Sequence, residues 1–151
     1  MDIKLVVLDI DGTIAGTSNQ ISVRVQNTIK KVQDQGIAVT LATGRMYHSA
    51  LPFHQQIASP LPLIAYNGAW TKDPQGGEML REYGLPTAIA LEILDYFETG
   101  TLRERLEIHT YYQDQLYVRE ITAETERYIA RSGVIPHAVG DLRPIIEKST
   151  I

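Results

Sequence analysis

The stretch Leu5-Val6-Val7-Leu8-Asp9-Ile10-Asp11-Gly12-Thr13 runs an unbroken apolar segment into two carboxylates and a glycine turn. An unbroken run, where a half-exposed strand would alternate, is the pattern of a parallel strand buried on both faces. Side chains alternate along a strand, which sets Asp9 and Asp11 to one side, and open α/β sheets place their ligands beyond the carboxyl ends of their strands. The pair therefore reads as a place for a hard cation and an anionic substrate. Plainer readings compete with this one. Asp-Gly is also a bare turn signal, with the acids solvating a loop. A calcium loop fails, because aligning Gly12 with the invariant glycine of D-x-[DN]-x-[DN]-G-x5-E puts Val7 and Ser18 where acids are required. A dinucleotide site needs G-x-G-x-x-G after the first strand, and neither that pattern nor G-x-x-x-x-G-K-[ST] occurs.

Working outward, Ser22 can cap a helix whose apolar residues Val25, Ile29 and Val32 recur at helical spacing, with Gly36 as its stop. A second apolar strand at 37–42 closes in Thr43-Gly44-Arg45. A helix over 46–57 follows, with a kink or restart at Pro52. A third strand at 62–66 ends in Asn67-Gly68. Strand, helix, strand, helix, strand calls for parallel strands joined by right-handed crossovers, so all three strands end on one edge. The expected fold is α/β, a partial Rossmann-like sheet over residues 1–69, followed by a small α/β layer over 70–151. In that second part the pattern gives a polar turn at 73–77, short strands near 78–83 and a helix carrying Ile89, Ile93, Leu94 and Phe97. A hairpin of 106–110 and 116–119 follows, then a helix capped by Thr122 with Gly133 near its stop, and a last strand at 137–139 or 144–147.

Bulk properties narrow the function. The chain has 151 residues, a formal net charge of −4 and no cysteine. The charge gives no electrostatic reason to expect nucleic acid or an anionic membrane surface as partner. Without cysteine there is no disulfide and no thiolate metal site. No apolar run reaches the roughly 18 to 20 residues of a membrane span, and the first residues carry neither a basic leader nor a long apolar segment, which makes the cytoplasm the default location. A phosphorylated substrate would then need local positive charge from a metal or a chosen arginine.

If Asp9 attacks phosphorus, an aspartyl phosphate forms, and a hard displacement is divided into two easier ones. Asp11 is placed to protonate the departing oxygen and later to activate the water that clears the intermediate. A magnesium ion bound by the Asp9 carboxylate and the main-chain carbonyl of Asp11 would offset repulsion between acid and phosphate. Gly12 and Gly44 let backbone amides come close to an anion, Thr43 supplies a short hydroxyl and Arg45 a charge. Thr43 also fits an ordinary helix N-cap, and both roles are compatible because helix N-termini bind anions. None of His48, His54, His109 and His137 has ligand spacing.

Asp9-Ile10-Asp11-Gly12-Thr13, Ala42-Thr43-Gly44-Arg45 and Tyr66-Asn67-Gly68-Ala69, in this order, resemble the haloacid dehalogenase superfamily and, more narrowly, its Cof-type sugar-phosphatase branch. The resemblance implies a Rossmann-like core with an α/β cap inserted after the third strand, and magnesium-dependent hydrolysis of small phosphate esters. On it Asp9 is the nucleophile, Asp11 the acid/base, Thr43 the phosphate-binding hydroxyl, and Asn67 lies near the substrate. That family places a lysine and a Gly-Asp-x-x-x-Asp-like cluster after the cap, and neither precedes Ile151. Gly140-Asp141 reads as a turn, since Ile145 and Ile146 stand where a second acid would fall. The family core also sets further strands beside the first, so residues 5–10 would have an open edge to be filled by self-association or by a missing C-terminal segment. Two alternatives to a phosphatase follow: a non-catalytic truncated or split subunit that pairs through that edge, and a phosphomutase.

Overall fold

The computed structural model describes residues 2–148, and the chain divides into two compact units, Met1–Tyr83 and Gly84–Ile151. The first is built on β1 (Leu5–Leu8), α1 (Val23–Asp34) and β2 (Ala38–Leu41). β1 and β2 pair in parallel, from Leu5 opposite Ala38 to Leu8 opposite Leu41. α1 starts where expected, because the Ser22 hydroxyl accepts the Val25 N–H at 3.3 Å, a cap worth about 1 kcal/mol. Gly36, with φ +81, turns the chain out of the helix. α1 lays Val25, Ile29 and Val32 on the core.

β2 leads through α2 (Tyr47–Gln56) to β3 (Leu63–Ala65). β3 lies beside β2: Ala42 bridges Ile64 in parallel, and the Thr40 hydroxyl donates to the Pro62 carbonyl at 2.7 Å. The three strands thus run side by side in one direction and end on a common edge. Ile10, Leu41, Leu63, Ala50 and Ala65 are completely buried between them and the helices. Pro52 sits within α2, which runs on through it.

The first unit continues beyond residue 69. β4 (Trp70–Lys72) folds back antiparallel on β3, and β5 (Met79–Glu82) pairs with β4. Trp70 anchors this hairpin by ring contacts at 5.4 Å to Tyr66 and 6.4 Å to Tyr47. The change of character after Ala69 therefore marks a turn in the sheet, while the compact units divide at Tyr83 and Gly84.

β1 departs from the expectation of burial on both faces. Val6 and Leu8 pack inward, but Leu5 is 49% and Val7 45% exposed, and Ile3 before them 66%. Among the described residues β1 pairs only with β2, so one edge of the strand is unpaired and one apolar face is about half exposed.

The second unit contains α3 (Thr87–Phe97), α4 (Gly100–Arg105), β6 (Thr110–Tyr112), β7 (Gln115–Val118), α5 (Ala123–Ser132), β8 (His137–Ala138) and α6 (Arg143–Lys148). β6 and β7 form a hairpin whose first arm lies later than expected, at 110–112 in place of 106–110, and whose second is shifted by one residue, 115–118 in place of 116–119. It closes on Gln113 and Asp114, both at positive φ, as a two-residue turn of matching twist requires. Thr122 caps α5 in a reciprocal pair with Thr125, and Gly133 ends it with φ +71. Of the two placements for the last strand, 137–138 is the strand, parallel to β7; 143–148 is helix. Leu94, Leu142 and Ile146 form its small core.

Candidate active site

β1, β2 and β3 each run out into a polar corner, and hydrogen bonds tie the corners together. Strand β1 stops at Leu8. From there Ile10 O accepts from Thr13 N, Ile14 N and Ala15 N at 3.3, 3.2 and 2.9 Å, winding residues 10–15 into a tight turn. Asp11 rides on that turn, so its position relative to Asp9 follows from the turn and not from strand alternation. Gly12 supplies the bend with φ +74, and its N–H is committed to Ala15 O at 2.9 Å. Ala15 then bridges Ile21, closing a small hairpin in which Asn19 has φ +53.

The second corner lies against the first, because Ala42 N donates to Leu8 O at 2.9 Å; this brings the exposed Asp9 next to residues 42–43. Thr43 is 5% exposed. Its hydroxyl accepts Arg45 N at 3.2 Å, which leaves the hydroxyl proton to donate. It does not cap α2; the N-cap position belongs to Met46, without a side-chain bond. The third corner is stapled to the second: Thr43 N donates to Ile64 O at 3.0 Å, Tyr66 N to Arg45 O at 2.9 Å, and Asn67 N to Thr43 O at 3.0 Å. Tyr66 and Asn67 hold φ +51 and +55. Left-handed backbone at non-glycine residues costs on the order of 1 kcal/mol or more each and collects at functional sites. The Asn67 carboxamide lies so close to Gly44 that a β-carbon there would stand 2.9 Å from Asn67 Oδ1.

Arg45 turns back toward the first corner. Its Nε donates to Asp11 Oδ2 at 2.8 Å and its Nη2 to Asp11 Oδ1 at 2.7 Å, the two-pronged geometry in which a guanidinium pairs most strongly with a carboxylate. Nη2 also donates to Asn19 Oδ1 at 2.5 Å, and the guanidinium carbon stands 4.6 Å from the centre of the Phe53 ring. Nη1 is buried without a hydrogen-bond partner among the described residues; the face of Phe53 is what the structure offers it. Asn19 and Phe53 were not flagged by sequence reasoning. A polar segment such as 16–20, opening on a glycine, announces a turn, but not the long-range contact that its asparagine makes.

The remaining candidates fall elsewhere. His48 is exposed on α2. His54, 2% exposed, has Nε2 at 2.9 Å from Leu61 O, and burial holds its pKa below the usual imidazole value against the opposing pull of that bond and of Asp73. Asp141 accepts Arg143 N at 3.0 Å and so serves the turn into α6. Among the described residues no three His, Asp or Glu side chains cluster as metal ligands.

The chain is similar to two curated phosphatases and to a solved structure. The YitU protein of Bacillus subtilis, a 5-amino-6-(5-phospho-D-ribitylamino)uracil phosphatase, is 28% identical over 145 residues, covering 92% of this chain and 50% of that protein. The HMP-PP phosphatase of Serratia proteamaculans is 32% identical over 91 residues, 60% of this chain and 33% of that one. TM0651 from Thermotoga maritima superimposes with a TM-score of 0.76 at 25% identity, over 97% of this chain and 53% of that one. The chain thus spans half or less of the length of these curated relatives. With residues 6–140 matching it, the chain belongs to the haloacid dehalogenase-like hydrolase family.

Proposed function

We propose that residues 2–83 carry the nucleophile half of a magnesium-dependent phosphatase acting on small phosphate esters, sugar phosphates among them, and that the unit from Gly84 onward is its cap. The observation that best supports this is the hydrogen-bonded convergence of the three corners, which sets Asp9, Asp11, Thr43, Gly44 and Asn67 on one edge. Asp9 Oδ attacks phosphorus, the new O–P bond forming as the ester P–O bond breaks, and Asp11 gives its proton to the leaving oxygen. Water then attacks the phosphorus of the aspartyl phosphate, Asp11 takes the water proton, and the Asp9 O–P bond breaks to release phosphate. Both Asp11 oxygens accept from Arg45, an arrangement suited to the base half of this cycle; the acid half turns one oxygen toward the ester. Thr43 donates its free hydroxyl proton to a phosphate oxygen, and Gly44 leaves room for the anion near the backbone.

The donor set suits a hard cation. The Asp9 carboxylate is exposed, and because the Arg45 fork occupies both carboxylate oxygens of Asp11, that residue offers its main-chain carbonyl. Magnesium is commonly held by one or two carboxylates plus waters and substrate phosphate, and there it supplies positive charge that offsets repulsion between the nucleophile and the phosphate dianion. The reading is tested by phosphate release from a small ester with and without chelator. Release should require magnesium and vanish in Asp9→Asn; release that survives this substitution refutes the nucleophile assignment.

A second reading rests on the exposed Ile3, Leu5 and Val7: the chain works as a subunit that pairs through the open side of β1. Parallel strands are covered on both faces in stable sheets, so this face calls for another segment, in the same polypeptide or a second one.

A further inference from the structure

Arg45 carries the charge in the second corner, yet it points away from Thr43 and into the turn that bears Asp11. Its side chain is 11% exposed, and each hydrogen-bonding nitrogen that finds a partner finds it on the segment that follows β1: Asp11 at 2.8 and 2.7 Å, Asn19 at 2.5 Å. A guanidinium held on Phe53 and on Asp11 alone would still be able to pivot about the pair of bonds. The Asn19 carboxamide supplies a further point of attachment, off the Asp11 carboxylate, and fixes the plane of the fork. Asn19 has φ +53, a conformation that asparagine tolerates better than most residues, so the chain accepts an unusual backbone to present that oxygen.

We propose that Asn19 is a positioning residue: through Arg45 it fixes the orientation of the Asp11 carboxylate, and so sets how well Asp11 takes the proton of the water that clears the aspartyl phosphate. The inference rests on the phosphatase reading above. It assigns Arg45 to orienting Asp11 in place of gripping the phosphate, and it makes the 15–21 hairpin part of the acid/base machinery.

The test separates the carboxamide from the backbone. Asn19→Gly keeps the positive φ and removes the acceptor; Asn19→Asp keeps an acceptor oxygen. Hydrolysis of 4-nitrophenyl phosphate, whose leaving group departs without help, isolates the clearance of the intermediate, in which Asp11 acts as base. General base catalysis of this kind is worth roughly 100-fold or more. Mispositioning by Asn19→Gly should lower kcat on this ester by about tenfold, with a burst of 4-nitrophenol ahead of the slowed turnover, and Asn19→Asp should restore most of it. A loss without a burst, or no loss in Asn19→Gly, overturns the proposal. A second measurement does not depend on turnover: the Arg45 Nη resonances should be resolved by slow rotation in the parent chain and averaged in Asn19→Gly, and unchanged resonances there overturn it. Failure of the parent to form an aspartyl phosphate at Asp9 would count against the phosphatase reading, while the resonances still decide whether Asn19 fixes Arg45.

Discussion

Replacing Gly44 by alanine probes how tightly the second and third corners are pressed together. The added β-carbon would stand 2.9 Å from Asn67 Oδ1 and 3.5 Å from Cγ and Nδ2, where ordinary contact begins near 3.4 Å. The Asn67 backbone cannot retreat, since its N–H is bound to Thr43 O at 3.0 Å and the preceding Tyr66 N–H to Arg45 O at 2.9 Å. The carboxamide has to swing instead. Overpacking of this kind costs about 1–3 kcal/mol, and because a side-chain end yields while the backbone holds, the expected cost is about 1 kcal/mol. In a unit of this size that corresponds to a fall of about 4–8 °C in Tm. Asn67→Gly removes the obstacle and also relieves the φ of +55. Urea or thermal unfolding of the parent, both single variants and the double variant gives the coupling directly. In the Asn67→Gly background the Gly44→Ala cost should shrink to within about 0.5 kcal/mol of zero. The same cost in both backgrounds would refute the claim that the Asn67 carboxamide is what confines position 44.

Two further outcomes are expected. Burial keeps His54 neutral in the fold, with its pKa lowered from 6.5, so between that lowered value and 6.5 the unfolded chain binds more protons. Stability is then complete above pH 6.5 and is lost as pH falls through the window below it; His54→Gln, which keeps an N–H for Leu61 O, should flatten that part of the urea midpoint-versus-pH curve, and an unaltered slope would assign the dependence to other groups. Val7 is 45% exposed on the open side of β1, so the chain should associate as its concentration rises, and Val7→Lys should shift sedimentation toward monomer, since an outward lysine blunts an open strand. Association unaffected by that change would remove β1 as the interface.

The corners themselves were legible because each is written locally: an apolar run, then small and polar residues. Ser22, Gly36, Thr122 and Gly133 likewise announce their helix ends with the residues adjoining them. What was not legible depends on contacts distant in sequence. β4 is recognisable only through its pairing with β3 and the stacking of Trp70 on Tyr66 and Tyr47. α4 escaped notice because it begins on Gly100 with φ +54 and is only Gly100–Arg105 long. The direction of Arg45 could not be read, because a long side chain at a corner can reach forward to a phosphate or back to Asp11, and the choice is made by Asn19 and Phe53. The apolar run of β1 spoke correctly of two faces fit for burial, while the described residues cover one.

The central claim is that the carboxylate of residue 9 accepts the phosphoryl group. Incubation with acetyl phosphate and magnesium, rapid quenching, and borohydride reduction convert an acyl phosphate to the alcohol, which peptide mass spectrometry locates. The account expects homoserine in place of Asp9 in the parent chain and none in Asp9→Asn. Reduction at another residue, or phosphate release with position 9 left unmodified, would contradict it.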